Sequence, residues 1–316
     1  MEPNRNRQVI VTGATGLIGQ KLIERLTKRG DQAIAFVRNP ERDRQRAPGA
    51  SRYVEWSASK ESGEWRQVLQ EADAVVNLAG APIAERWTDE QKEKIYNSRI
   101  AGTRHLVEAM GELDRKPSVL VNGSAVGYYG ASTTEVVNEL SPSGDDFMAR
   151  VCSDWEAEAL RAEGEGVRVA LIRIGIVLSP DGGALAKLLT PFRLFVGGTL
   201  GSGDQPWPWV HIDDLLDLIL YALDNQQLQG PLLAVAPEQI SNWQFSKALG
   251  HVLHRPSIFP LPPFILRMML GEGAVAILSG QRVWPERTLN SGFDFNWKSV
   301  EEALRNLVGE KKLRDR

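Results

Sequence analysis

The segment Thr12-Gly13-Ala14-Thr15-Gly16-Leu17-Ile18-Gly19 constrains this chain more than any other. It follows the β-branched run Val9 to Thr12 and opens the amphipathic stretch Leu17 to Gly30, so the turn sits where a strand meets a helix. Glycine serves three purposes at such a junction: a tight turn, close approach of backbone N–H groups to a pyrophosphate, and packing of the helix onto the strand. The free N–H groups and positive dipole end of the helix add to the attraction for anions. A second strand follows at Gln32 to Val37, and this context separates a dinucleotide-binding turn from an ordinary glycine-rich loop. Gly13, Ala14, Thr15, Gly16, Leu17, Ile18 and Gly19 are therefore the expected phosphate cradle.

The alternation continues beyond this unit. Val9 to Gly13, Gln32 to Val37, Arg52 to Trp56, Ala74 to Gly80, Ser118 to Ser124 and Val167 to Gly175 read as strands, apolar almost throughout, as burial on both faces demands. Between them, Leu17, Ile18, Leu22, Ile23 and Leu26 fall on one helical stripe that ends in a glycine C-cap, and Asp89 to Met110 is long enough for six turns. The expected fold class is α/β: a Rossmann-type, doubly wound parallel sheet with a smaller C-terminal substrate lobe. Residues 1–175 form the expected NADP-binding domain, with its core at 8–175. Beyond Gly175 glycine, proline and tryptophan accumulate, and residues 176–316 are assigned mainly to the smaller lobe, with elements free to return to the main sheet.

Whole-chain properties narrow the function classes. The 316 residues carry a net charge of −3 with mixed signs, which provides no broad attraction for nucleic acid or anionic lipid. A single cysteine, Cys152, excludes an intrachain disulfide and a cysteine-built zinc site, and fits the cytoplasm. The polar start MEPNRNRQ reads as a frayed tail without a secretory apolar region. The apolar stretch from Ile258 to Leu278 is interrupted by Pro260, Pro262, Pro263, Arg267 and Glu272, which argues against a membrane span. The expected partner is a small-molecule substrate of unknown identity, bound by a monomer or homodimer.

The cofactor's identity rests on the end of the second strand. In dinucleotide-binding folds a carboxylate there takes the ribose hydroxyls, whereas arginine suits a 2′-phosphate. This chain has Arg38, and its planar guanidinium favours NADP(H) over NAD(H). The other reading is a solvated arginine beside Arg42, Arg44 and Arg46.

The turn TGATGLIG, the strand end Asn77 to Gly80, the segment Ser98 to Thr103, the strand Leu171 to Gly175 and the segment Trp209 to Leu215 occur in the order seen in extended short-chain dehydrogenase/reductases. More narrowly, Ala81 to Trp87, Ser124 to Gly130, Pro142 to Phe147, Asp154 to Ala159, Pro191 to Gly198 and QRVWPERTLNSGF resemble the atypical "epimerase family" subgroup, whose members are often labelled sugar-nucleotide epimerase-like or SulA-type cell-division-inhibitor-like. The resemblance implies that Leu78, Ala79 and Gly80 pass the adenosine and ribose, and that Val177 lies near the nicotinamide. It places Arg99 where many extended members have asparagine; this arginine either reaches the cofactor or is a helix-surface residue balanced by Glu93.

Ordinary members use a Tyr-x-x-x-Lys pair, in which lysine holds the ribose and lowers the tyrosine pKa. Here Tyr53, Tyr96, Tyr128, Tyr129 and Tyr221 are followed four residues later by Ser57, Ile100, Ser132, Thr133 and Asn225, so the pair is absent. The resemblance puts Met148 and Cys152 in its place, and neither performs that chemistry. Candidate acid–base groups are Ser124 (with Ala125 as the stricter alignment), Tyr128, Tyr129 and His211, the last more readily a core or interface histidine satisfied by hydrogen bonds. Asp213 and Asp214 fit an N-cap and first-turn acid. No spacing among the four histidines suits a metal site. Trp207 and Trp209, with Phe192 and Phe195, line either a pocket or a core. Two function classes follow: an NADP(H)-dependent oxidoreductase or epimerase-like enzyme, and a non-catalytic NADP(H)-dependent regulator, the latter suggested by the missing pair.

Overall fold

The computed structural model describes residues 6–131 and 135–309. The first five residues of the expected tail, and Ser132 and Thr133, lie outside the described residues.

Six parallel strands follow the expected runs: β1 (Gln8–Thr12), β2 (Gln32–Val37), β3 (Arg52–Glu55), β4 (Ala74–Asn77), β5 (Val119–Ala125) and β6 (Arg168–Ile174). Two short strands, β7 (Ile176–Leu178) and β8 (Trp209–His211), pair separately, and β9 (Gly230–Ala234) completes the main sheet. Its order is β3-β2-β1-β4-β5-β6-β9, all parallel. The order reverses at β1, and the crevice beyond the strand ends there is where open α/β sheets bind ligands.

The period of two along each strand sends successive side chains to opposite faces. Val9 and Val11 join a core with Leu22, Ile23 and Leu26 of α1 (Leu17–Lys28), whereas Ile10 joins the other core with Phe36, Trp65 and Leu106. The short α2 (Pro40–Asp43) leads to Ala47 in the first core; behind the second face lie α3 (Trp65–Glu71), α4 (Asp89–Gly111) and α5 (Phe147–Leu160), of which α3 and α4 supply most of its apolar side chains. Thr88 caps α4 by accepting from Gln91 N–H, and Asp146 caps α5 by accepting from Ala149 N–H.

After β7 come α6 (Gly183–Arg193) and then α7 (Ile212–Asp224), which returns the chain to the first face beside α1. Arg25 on α1 pairs with Asp213 and Asp217 on α7, and Arg7 and Arg29 both pair with Asp224. The remaining helices are α8 (Asn242–Leu253), α9 (Pro263–Leu270), α10 (Val275–Leu278), α11 (Glu286–Asn290) and α12 (Val300–Val308), with α12 packed on α8. Among the described residues no helix is long and apolar enough to cross a membrane. The stretch 258–278 forms two short helices instead, with Pro263 at the first turn of α9.

Two details differ from the sequence expectation. The fourth strand ends at Asn77 rather than Gly80, because Leu78 and Ala79 donate their N–H groups to Thr12 Oγ1 and not to a neighbouring strand. His211, not Asp213, caps α7: its Nδ1 accepts from Asp213 N–H at 3.0 Å.

Candidate functional site

The glycine turn has the geometry its sequence demands. Gly13 has φ +65°, and a Cβ there would lie 2.6 Å from Leu78 O. Gly19 permits close packing of helix on turn, since a Cβ would come within 2.3 Å of Gly13 O. Gly16 differs: it has ordinary extended backbone and is the exposed N-cap of α1, where a side chain would obstruct the N–H groups. Gln20 braces the loop by donating to Thr15 O at 2.7 Å. Across the turn, Gly182 and Gly183 at the start of α6 approach Leu17.

A buried polar chain holds this junction together. Thr12 Oγ1 donates to Asn77 Oδ1 at 2.6 Å, and Asn77 Nδ2 donates to Thr103 Oγ1 and Asn122 Oδ1. Trp155 Nε1 also donates to Thr103 Oγ1. The strands and helices flanking the crevice are thus linked through hydrogen bonds that water does not compete for.

Two arginines stand on opposite sides of the turn. Arg38 is exposed just past β2. Its basic neighbours are engaged: Arg42 and Arg46 pair with Asp43, and Arg44 lies 5.0 Å from the Tyr53 ring centre. Arg38 has no ion pair among the described residues, so its guanidinium is available to a ligand. Arg99 lies on the β4 side. One nitrogen donates to Ala81 O and Ile95 O, each at 3.1 Å, and its Cζ is 5.2 Å from the Trp155 ring centre. Glu93 does not balance it but accepts from Asn97. Desolvation lowers the Arg99 pKa from its ordinary value.

The candidate acid–base residues occupy different surroundings. Ser124 is buried and donates to Glu156 Oε1 at 2.6 Å. Glu156 in turn accepts from Arg173 Nε and Nη2, both at 2.8 Å. Tyr129 is also buried: its hydroxyl donates to Asn138 O at 2.8 Å and accepts from Arg173 Nη1 at 2.9 Å. Burial raises the Tyr129 pKa far above that of an ordinary phenol despite the neighbouring guanidinium. Tyr128 is half-buried, with Arg173 Cζ 3.5 Å from its ring centre. His211 is fully buried and stacks on Trp297 at 4.8 Å.

Met148 and Cys152 share one face of α5 opposite Gly127, where an added Cβ would lie 3.4 Å from Met148 Cβ and 3.8 Å from Cys152 Sγ. Burial pushes the Cys152 thiol up to about 12. Val177 lies on β7, opposite Val210 of β8. Trp209 and Phe192 belong to the core, whereas Phe195 is exposed. Trp207 packs on Phe245, with ring centres 5.3 Å apart and planes tilted by 32°, and borders a cavity of about 270 Å³ with Pro208, Val235, Glu238 and Gln281. Val235 and Ala236 in its lining follow directly on β9, so it lies at the carboxyl end of the parallel strands, as the glycine turn does. Among the described residues no group of acidic, histidine and cysteine side chains could hold a metal.

The sequence pattern of the NAD dependent epimerase/dehydratase family matches residues 9–235. The chain belongs to that family. A second pattern, described as a domain of unknown function (DUF1731), matches residues 261–307. Among epimerase-family relatives, the chloroplastic SDR39U1 homolog of Arabidopsis thaliana is 44% identical over 302 residues, spanning 95% of this chain and 86% of that protein. YfhF of Bacillus subtilis is 35% identical over 305 residues, spanning 96% and 99%. The crystal structure of human epimerase family protein SDR39U1 with NADPH superposes with a TM-score of 0.85 at 34% identity, covering 95% of this chain and 98% of that one.

Sequence reasoning did not anticipate several residues at this epimerase-family site. Glu156 and Arg173 form its buried ion pair, and Thr12, Asn77, Asn122 and Thr103 form its polar chain. The available signal was polar residues inside otherwise apolar strands, since burying such groups is costly unless they are paired.

Proposed function

We propose that this epimerase-family protein binds NADP(H) across the switch between β1 and β4 and transfers hydride to or from a small polar substrate in the crevice leading to the Trp207 cavity. The observation that carries this reading is the unpaired Arg38 at the tip of β2, beside a glycine turn whose close contacts leave backbone N–H groups open to a pyrophosphate. The human relative solved with NADPH supports it. Gly13 to Gly19 would hold the pyrophosphate and Arg38 the 2′-phosphate, with Leu78, Ala79 and Gly80 lining the cofactor path and Val177 beside the nicotinamide. The cofactor, when bound, supplies hydride chemistry. Of the tyrosines beside β5, Tyr128 fits proton transfer better than Tyr129, whose hydroxyl is occupied.

Calorimetry with NADPH and NADH tests the binding reading: tighter binding of NADPH supports it, and equal or tighter binding of NADH removes the role of Arg38. Stopped-flow absorbance with carbonyl compounds and sugar nucleotides tests turnover. The substrate-bound unit is proposed as a cytoplasmic monomer or homodimer.

One observation favours a second reading, a non-catalytic regulator that responds to NADP(H). Ser124, Tyr129 and His211 are all engaged in internal hydrogen bonds, and Met148 and Cys152 supply no acid. A regulator requires different partner affinity with and without cofactor. Pull-downs that recover identical proteins with and without NADPH count against it.

A further inference from the structure

Two segments of the smaller lobe stand apart in charge. Residues 182–203 and 239–271 contain five lysines and arginines and two histidines but no aspartate or glutamate, in a chain whose net charge is −3. The whole chain offers no broad attraction for an anionic surface, so this excess is local. Among the described residues none of Lys187, Arg193, Lys247, Arg255 and Arg267 forms an ion pair. The carboxylate that reaches α8 from α12, Glu301, is held by His251 and Arg305.

The fold brings the two segments together. Ile258 and Phe259 both donate their N–H groups to Gly197 O at 3.1 Å, and Leu261 N–H donates to Thr199 O at 2.8 Å. Gly198 permits this approach, because a Cβ there would lie 2.2 Å from Phe259 O. The join presents Leu194, Phe195, Val196, Ile258 and Phe259, each more than half exposed. Cations surround them: Arg193 precedes Leu194, Arg255 Cζ is 4.4 Å from the Phe195 ring centre, and Lys247 Nζ donates to Ser257 O at 2.8 Å. The second segment runs on into α9, which exposes Phe264, Met268 and Met269 beside Arg267.

Phe195 adds an independent sign. Its φ is +64°, a region that a bulky side chain adopts only under strain, and its N–H donates to Phe192 O at 3.0 Å. An aromatic ring held in a strained turn and left in water contributes nothing to folding, and exposed apolar clusters of this kind mark docking surfaces. A second copy of the same face would bring like charges together. The apolar tips stand on two loops, not along a groove that receives a helix or strand. α12 offers no alternative, since Val300, Ala303, Leu304 and Leu307 are buried.

We propose that this face docks on the surface of an anionic lipid bilayer. Phe195, Ile258 and Phe259 enter the boundary between headgroups and acyl chains, and Arg193, Lys247 and Arg255 meet the headgroup phosphates. The contact is peripheral, requires no membrane-spanning helix and is independent of the NADP(H) reading.

The test is flotation of the full chain with vesicles of phosphatidylcholine alone and of equal parts phosphatidylcholine and phosphatidylglycerol. The chain should bind the anionic vesicles and not the neutral ones, and added salt should weaken the binding. Phe195→Gly removes the ring at a position whose positive φ suits glycine, so the variant should keep its fold in urea unfolding yet bind about tenfold more weakly. Arg193→Gln combined with Lys247→Gln should also cost about tenfold or more. Binding to neither vesicle, equal binding to both, or unchanged binding by Phe195→Gly overturns the proposal. Poly-glutamate, a model acidic polypeptide, is titrated in the same buffer; retention of it without binding to either vesicle assigns the face to an acidic protein and overturns the lipid assignment.

Discussion

At the residue scale, Gly13 and Cys152 illustrate how a single side chain, absent or present, is governed by its surroundings. Gly13 combines positive φ with a backbone oxygen 2.6 Å from where a Cβ would sit, so Gly13→Ala is both strained and obstructed. We expect it to cost at least about 2 kcal/mol in urea unfolding and to abolish NADPH-induced thermal stabilisation. Cys152 titrates from an ordinary value near 9 when unfolded to about 12 when folded. The native state therefore retains a proton that the unfolded chain releases. The resulting stability is fully present below pH 9 and is lost as pH rises toward 12. Cys152→Ala should make the alkaline loss of stability shallower, by up to about 1.4 kcal/mol per pH unit. The native thiol should also resist alkylation at pH 8 and react once urea unfolds the chain; rapid reaction in the folded state would contradict this burial. The glycine requirements were legible in the sequence because turn geometry is local, whereas the thiol's inertness depends on α5 packing against β5.

At the level of elements, buried charges join segments far apart in the chain. Glu139 accepts from Leu233 N–H of β9, from Thr288 N–H and Oγ1, and from Arg287 N–H, both residues of α11. Its own carbonyl accepts from Arg173. The segment around residue 139 thereby fastens α11 to the outer strand of the sheet. Glu139→Gln replaces one acceptor oxygen with a donor facing backbone N–H groups, and a loss of about 2–4 kcal/mol is expected. Hydrogen exchange should show the largest loss of protection at β9 and α11; uniform loss throughout the sheet would argue against this local clasp. The Glu156–Arg173 pair plays a comparable role between α5 and β6, with Ser124 completing the carboxylate's hydrogen bonds. Sequence periodicity located β5 and β6, and the family resemblance placed Asp154 to Ala159 on a helix, but neither carried information on which polar residues would pair. Those partners are 17 to 149 positions apart and meet only after the sheet forms.

At the scale of the whole molecule, the parallel sheet sets the path proposed for the cofactor, from Arg38 past the glycine turn toward β5. Arg38→Ala should weaken NADPH about tenfold to a hundredfold, the loss of a charge-assisted phosphate contact, while leaving NADH nearly unchanged in the same titration. Equal losses for both nucleotides would show that Arg38 acts elsewhere. The amino-acid sequence alone determined the alternating strands and helices, the three-glycine turn and the absence of a Tyr-x-x-x-Lys pair, because each depends on residues close together along the chain. It also marked Arg38 and Arg99 as cations worth following. Tertiary structure decided that Glu93 does not neutralise Arg99, that Ser124 and Tyr129 are bound to a buried Glu156–Arg173 pair, and that His211 caps a helix. Those outcomes depend on which side chains enter the same small, water-poor volume, where a hydrogen bond or opposite charge must be found among residues distant in sequence.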